Sequence, residues 1–202
     1  MSLKRLSELT DYPEIVSKSE FLFDTLIVNE QTTIPFCVIT TKIVNPDNIK
    51  SGVPFENIFF VNDIFDSFIE YISVAKELLE DDESENKRII LFNYPGQSHT
   101  IYNEDNIEAI SVNFGNVMDK LLYRLSSAKG ELKLISLKND SFKFCGFGYG
   151  AYLLSSYLGA YHYYFPKLNG VLLINGFMEM PIKYKEMLDN LLVLFSSGDP
   201  TV

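Results

Sequence analysis

Apolar residues along this chain gather into short runs separated by polar punctuation. Residues 21–28 (FLFDTLIV) and 33–44 (TIPFCVITTKIV) are rich in β-branched and aromatic side chains, with Asn29, Glu30 and Gln31 between them. That pattern predicts an N-terminal β-hairpin. Residues 57–61 (NIFFV) and 88–92 (RIILF) are compact apolar runs, as expected of strands buried on both faces. Between these two, Phe65, Phe68, Ile69, Ile72, Leu78 and Leu79 recur at helical spacing and lead into an acidic run at 80–85, a solvated face or loop. A long helix is predicted next, with Asp105 as its cap and Ile107, Ile110, Phe114, Val117, Leu121 and Leu125 on its apolar side; Gly130 lies beyond its end. Strands are expected at 141–145, 170–175 (GVLLIN) and 191–195 (LLVLF), with a polar, helix-like stretch at 183–190 before the last.

A leading hairpin followed by strands alternating with helices predicts an α/β fold: a mostly parallel sheet flanked by helices on both faces. The expected organisation is a lead-in segment, residues 1–20, and a single domain over 21–202. At 202 residues with 47% hydrophobic and 22% charged side chains, the chain is able to bury one sizeable core. The 16 Phe and 12 Tyr, against no Trp, make that core aromatic without indoles.

Charge narrows the partners. Seventeen basic and 27 acidic residues leave a net charge of −10, and no basic patch interrupts it. This potential opposes phosphate backbones and anionic membranes, so nucleic acid is excluded as a partner. Cys37 and Cys145 both lie in apolar strand-like runs and are expected to be buried and reduced. The N-terminus lacks the apolar region of a signal peptide, and no apolar stretch approaches the ~20 residues of a membrane span. A cytoplasmic or cytoskeletal location is expected.

The chemistry concentrates at residues 141–158, SFKFCGFGYGAYLLSSYL. Glycine at alternate positions between a strand and a helix marks a turn that side chains would obstruct. Two motifs compete for it. Gly146, Gly148 and Ala151 fit the dinucleotide pattern G-x-G-x-x-A, but that fingerprint belongs to a first βαβ unit with an acid about 20 residues on. Here several strands precede the turn and the next strand ends in Asn175. The other motif is the nucleophile elbow of α/β-hydrolases, G-x-S-x-G. The chain reads Gly146-Phe147-Gly148-Tyr149-Gly150, and the order of the surrounding elements matches that fold, with Asp199 where its acid would stand.

The catalytic set is incomplete. Gly148 offers no nucleophile, and neither histidine, His99 or His162, follows Asp199; a serine triad requires nucleophile, base and orienting acid together. His162 reads as a helix-end residue and His99 as a loop residue after a strand end. The residues expected to converge at the degenerate site are Asn62, Asp63, Gln97, Ser98, His99, Gly146, Phe147, Gly148, Tyr149 and Gly150. Phe147 and Tyr149 flank the apex, where rings either line a pocket or plug it. No cofactor and no metal site is expected.

The run Gly146 to Leu154, the strand 169–175 (NGVLLIN) and the turn Pro95-Gly96-Gln97 together resemble the N-myc downstream-regulated (NDRG) family, over roughly residues 57–176. That family carries G-x-G-x-G-A-Y at the elbow and H-D-I-G in a loop that here reads Asn62-Asp63-Ile64-Phe65. The resemblance implies an α/β-hydrolase fold without hydrolase activity. Three functions stay open at this point. The leading one is a catalytically inactive binding or scaffold subunit, contacting other proteins through the sheet edge that a missing last strand and helix would leave open. The second is a small-molecule binder using the vestigial pocket. The third is an active hydrolase lacking its C-terminal part.

Overall fold

The computed structural model describes residues 4–5, 20–29, 32–40, 54–64, 66–80, 86–95, 97, 107–126, 132, 134–176 and 193–196. Eight strands form one sheet: β1 (Lys4–Arg5), β2 (Glu20–Asn29), β3 (Thr32–Thr40), β4 (Glu56–Val61), β5 (Lys87–Phe92), β6 (Ser141–Phe147), β7 (Leu168–Ile174) and β8 (Val193–Ser196). Among the described residues three α-helices lie between them: α1 (Ile72–Glu80), α2 (Ile107–Ser126) and α3 (Tyr149–Tyr161). The spatial order is β1-β2-β3-β5-β4-β6-β7-β8. β1, β2, β3 and β5 pair antiparallel, and β5, β4, β6, β7 and β8 run parallel. The expected hairpin is β2–β3, paired from Glu20 against Thr40 to Ile27 against Thr33, with a register shift before Asn29 meets Thr32.

Alternation along the central strands sends side chains into two cores, one on each face of the sheet. Phe59, Val61, Ile90, Phe92, Phe142 and Phe144 face α2 and α3, meeting Phe114, Val117, Leu121, Leu154 and Leu158. Ile58, Phe60, Ile89 and Leu91 face the other way, onto Phe68, Ile72, Ala75 and Leu79. Phenyl rings knit the first core, with Phe59 stacked 5.2 Å from Phe144 and Phe144 edge-on to Phe165 at 4.9 Å.

Several expectations shift. The first helix starts later than its apolar spacing suggests: Phe68–Tyr71 is a 3₁₀ turn and α1 begins at Ile72. Ile69 and Leu78, expected on its buried side, are exposed, and Ala75 takes a buried place instead. β6 continues through Gly146 and Phe147, two residues past the expected end. Lys4 and Arg5 pair with Phe23 and Leu22, so the lead-in contributes a strand too short to leave a period in the sequence. Cys37 is buried and free, but Cys145 is only half-buried. Its thiol lies on the side of β6 that alternates with the α2–α3 core, and burial pushes it up to about 11 against the lowering effect of Lys143. Asp105, Gly130 and the stretch 183–190 lie outside the described residues.

The amino ends of β4, β5 and β6 are joined by a buried charge. Arg88 is 1% exposed, 3.5 Å from the Asp140 carboxylate, with its guanidinium 3.4 Å above the Phe55 ring. Burial lowers the Arg88 ionisation to about 10, with Asp140 opposing. Asp140 also accepts from the Phe55, Ser136 and Asn57 nitrogens at 2.9–3.1 Å. Removing one member of such a set strands the other charge without water. Asp140→Ala is therefore expected to cost about 3–5 kcal/mol in denaturant unfolding; a loss under ~1 kcal/mol would show that Arg88 finds another partner.

Candidate functional site

In a parallel sheet, sites form beyond the carboxyl ends of the strands, where the strand order reverses. Here the reversal flanks β4. Val61, its last residue, pairs with Phe92 of β5 on one side and Gly146 of β6 on the other. The segments that follow, residues 62–64, 66–67, 93–95 and 147–149, therefore emerge side by side.

Gly148 is the apex of the strand-to-helix turn. Its φ of 53° and ψ of −124° fall where only glycine rests without strain. The turn is tied down by the Gly148 amide donating to the Ile174 carbonyl at 2.9 Å, and by Ala151 donating to the Gly148 carbonyl at 3.1 Å. The flanking glycines serve close approach: a Cβ at Gly146 would lie 2.6 Å from Ala151 Cα, and one at Gly150 would meet the carbonyls of Val61 and Asn62. The elbow frame expected from the sequence is thus built, with β6 entering and α3 leaving.

A carboxylate occupies its centre. Oδ1 of Asp63 accepts from the backbone N–H of Tyr149 at 2.8 Å and of Ile64 at 2.7 Å. In an active elbow the oxyanion hole comprises the N–H after the nucleophile and one from the loop after an earlier strand. Tyr149 and Ile64 hold those two positions. A Cβ at Gly148 would collide with both carboxylate oxygens and Cγ of Asp63. Asp63 also stands in for the side-chain cap that Gly148 cannot supply to α3, placing negative charge against the positive end of the helix.

The loop carrying Asp63 is held from several sides. Gln97 donates through Nε2 to the Asp63 carbonyl, and its Oε1 accepts from the Tyr94 amide at 2.9 Å. Tyr94, fully buried, donates its hydroxyl to the Asn62 carbonyl at 3.1 Å. Asn62 donates to the Asp66 carbonyl at 3.3 Å and reaches Asn93 Oδ1 at 3.5 Å, which also accepts from the Phe68 amide at 2.9 Å. Tyr71 donates to Asp66 at 2.6 Å. Burial, helped by the nearby aspartates, raises the Tyr71 and Tyr94 phenols far above their usual range, so both remain donors at any physiological pH.

The flanking rings do not plug the apex. Phe147 turns to one side of the sheet, 4.8 Å from Tyr71 and 5.7 Å from Phe60. Tyr149 packs against the opposite core and stacks on Tyr152 at 5.6 Å. Of the expected site residues, Asn62, Asp63, Gln97, Gly146, Gly148, Tyr149 and Gly150 come together, and Phe147 points away. Ser98, His99 and Asp199 lie outside the described residues. Asn93 and Tyr94 were not singled out in the sequence, although Asn62 and Asn93 each directly follow an apolar strand run, a shared signal of polar side chains at one sheet edge. Among the described residues no group of three His, Cys, Asp or Glu is placed to hold a metal, and no helix is long and apolar enough to cross a membrane.

No family model matches the chain, and no curated protein does. Solved structures do resemble it. A predicted CIB-like hydrolase from Thermoplasma acidophilum superposes with a TM-score of 0.55 at 10% identity, over 90% of this chain and 88% of that one. A hypothetical protein from Pseudomonas aeruginosa gives 0.53 at 12%, over 88% and 49%. A Vigna radiata epoxide hydrolase variant gives 0.51 at 12%, over 80% and 41%. The fold is that of the α/β-hydrolases, and the chain spans less than half the length of most of these structures.

The contact between Asp63 and Gly148 sets a measurable coupling. Gly148→Ala is expected to cost about 3 kcal/mol, from backbone strain and the collision with Asp63. Asp63→Ala is expected to cost about 2 kcal/mol through the lost charge-assisted bonds. The double variant should be less unstable than the sum by about 1–2 kcal/mol, because removing the carboxylate relieves the collision. Strict additivity in denaturant unfolding would show that the two do not touch.

Proposed function

We propose that this chain is a catalytically inactive α/β-hydrolase-fold protein that serves as a binding or scaffold subunit in a larger assembly. The observation that carries this reading is the Asp63 carboxylate, seated on both oxyanion-hole amides and in the space of a nucleophile side chain. Acyl transfer needs an empty hole that meets negative charge as it develops. A resident carboxylate denies the hole to a substrate oxygen and repels the charge it would carry. Gly148 removes the nucleophile as well. The motif resemblance to the N-myc downstream-regulated proteins points the same way. Asp63 also takes the ground that the polar head of a small ligand would need, which favours a protein partner over a vestigial-pocket ligand. The edge beyond β8, outermost among the described strands, is one contact surface such a subunit would use.

The folded protein is expected to hydrolyse short p-nitrophenyl esters no faster than buffer and to take no covalent label from a fluorophosphonate. Gly148→Ser should stay silent as well, because Asp63 still holds both amides. Saturable ester turnover that follows the folded protein through gel filtration would overturn the inactive reading. Extraction from its own cells in native buffer should yield one defined larger species; recovery only as a monomer would overturn the subunit reading.

A further inference from the structure

Away from the elbow, the far end of α3 carries an aromatic surface that the dead site does not explain. Tyr161 ends the helix, and residues His162–Tyr164 follow as a 3₁₀ turn. Tyr163 is 59% exposed and Tyr164 41%, although large aromatic rings are usually well buried. The rings form one cluster. Tyr163 lies 4.5 Å from Tyr164, Tyr164 is parallel to Tyr161 at 5.9 Å, and Tyr161 packs on Tyr157 at 5.0 Å. His162 stands edge-on to Tyr163.

An acid sits among these rings. Asp119, exposed on α2, accepts the Tyr157 hydroxyl through Oδ1 at 3.0 Å. Burial, and then the Asp119 charge, raises the Tyr157 phenol, and Tyr157 joins the acid to the ring cluster through Tyr161. Among the described residues its Oδ2 has no hydrogen-bond or ion-pair partner. One helical turn on, Tyr123 is exposed on the same side of α2.

We infer that Asp119, Tyr161, Tyr163 and Tyr164 form a docking surface for an arginine-bearing segment of a partner protein. The inference rests on the binding-subunit reading and names a surface and a partner chemistry for it. Three features select arginine. Tyrosine faces attract cations, and a guanidinium plane stacks on them where a compact ammonium does not. A carboxylate bonded to the same ring cluster through Tyr157, its second oxygen without a partner among the described residues, completes the match, since guanidinium donors are arranged to meet carboxylate oxygens. The net charge of −10 draws a basic segment in from a distance. Exposed tyrosines with a charged neighbour also match the composition of protein interfaces, where Tyr and Arg are enriched.

The test uses fluorescein-labelled hexa-arginine and hexa-lysine peptides with the full chain in 0.15 M-range salt, read by anisotropy. Saturable binding is expected, tighter for arginine than for lysine. The Tyr163→Ala, Tyr164→Ala double variant leaves the net charge unchanged and should bind hexa-arginine roughly tenfold more weakly, from two lost cation–π contacts. The corresponding Tyr→Phe pair, which keeps both rings, should bind as the parent does. Asp119→Asn should weaken binding and narrow the preference for arginine. Absence of binding, or binding that the two alanines leave unchanged, overturns the inference, the latter showing attraction by net charge alone. Neither result touches the inactive reading, which is tested separately by ester turnover.

Discussion

The structure turns on one carboxylate held by two amides. Asp63 lies in the loop just after β4, in the first half of the chain, and the Tyr149 amide it receives opens a helix 86 residues later. That contact joins the loop after β4 to the turn after β6, at the position where the sheet changes direction. Gly148 makes room for it, since any side chain there would occupy the same volume. The glycine and the aspartate are therefore a matched pair: the apex carries no side chain, and the neighbouring loop fills the space and satisfies the hydrogen bonds. A helix start without a cap, and two amides without acceptors, would otherwise be left beside a buried core.

Support for this arrangement comes from buried polar groups at the strand ends. Tyr94, Gln97, Asn62 and Asn93 hold the loop through its backbone carbonyls and amides. Side chains that bind backbone in this way fix where the loop runs, independent of what its own side chains do. The opposite ends of the same strands are fastened by Arg88 and Asp140. Between these two polar ends the sheet is apolar on both faces, which is why β4 and β5 read as uninterrupted hydrophobic runs.

Much of this was legible in the residues. The hairpin, the parallel strands and the glycine frame all follow from local periodicity and spacing, and each stands within a few residues of its expected place. The filled centre was not legible, because it depends on a contact between Asp63 and Gly148 across 85 positions, which no periodicity records. The rings of Phe147 and Tyr149 were natural candidates to close the apex; strand alternation instead sends Phe147 to one face while Tyr149 joins the other core. The delayed start of α1 has a similar cause, since Asn93 captures the Phe68 amide and holds the preceding turn in a tighter form. Tyr161, Tyr163 and Tyr164 flank His162, which reads as a helix-end residue, and only the packing of their rings distinguishes them from an ordinary surface.

On the proposed reading, the domain keeps the hydrolase sheet, the Asp63 carboxylate closes the elbow from within, and the outer faces carry recognition. The account stands or falls on whether Asp63 is the resident ligand of the two amides in solution. Through-hydrogen-bond couplings in the nuclear magnetic resonance spectrum test this directly, by correlating the amide nitrogens of Tyr149 and Ile64 with a side-chain carboxyl carbon. Both amides are expected to couple to the carboxyl carbon of Asp63. Absence of both couplings, with the Tyr149 amide exchanging freely with water, would contradict the account.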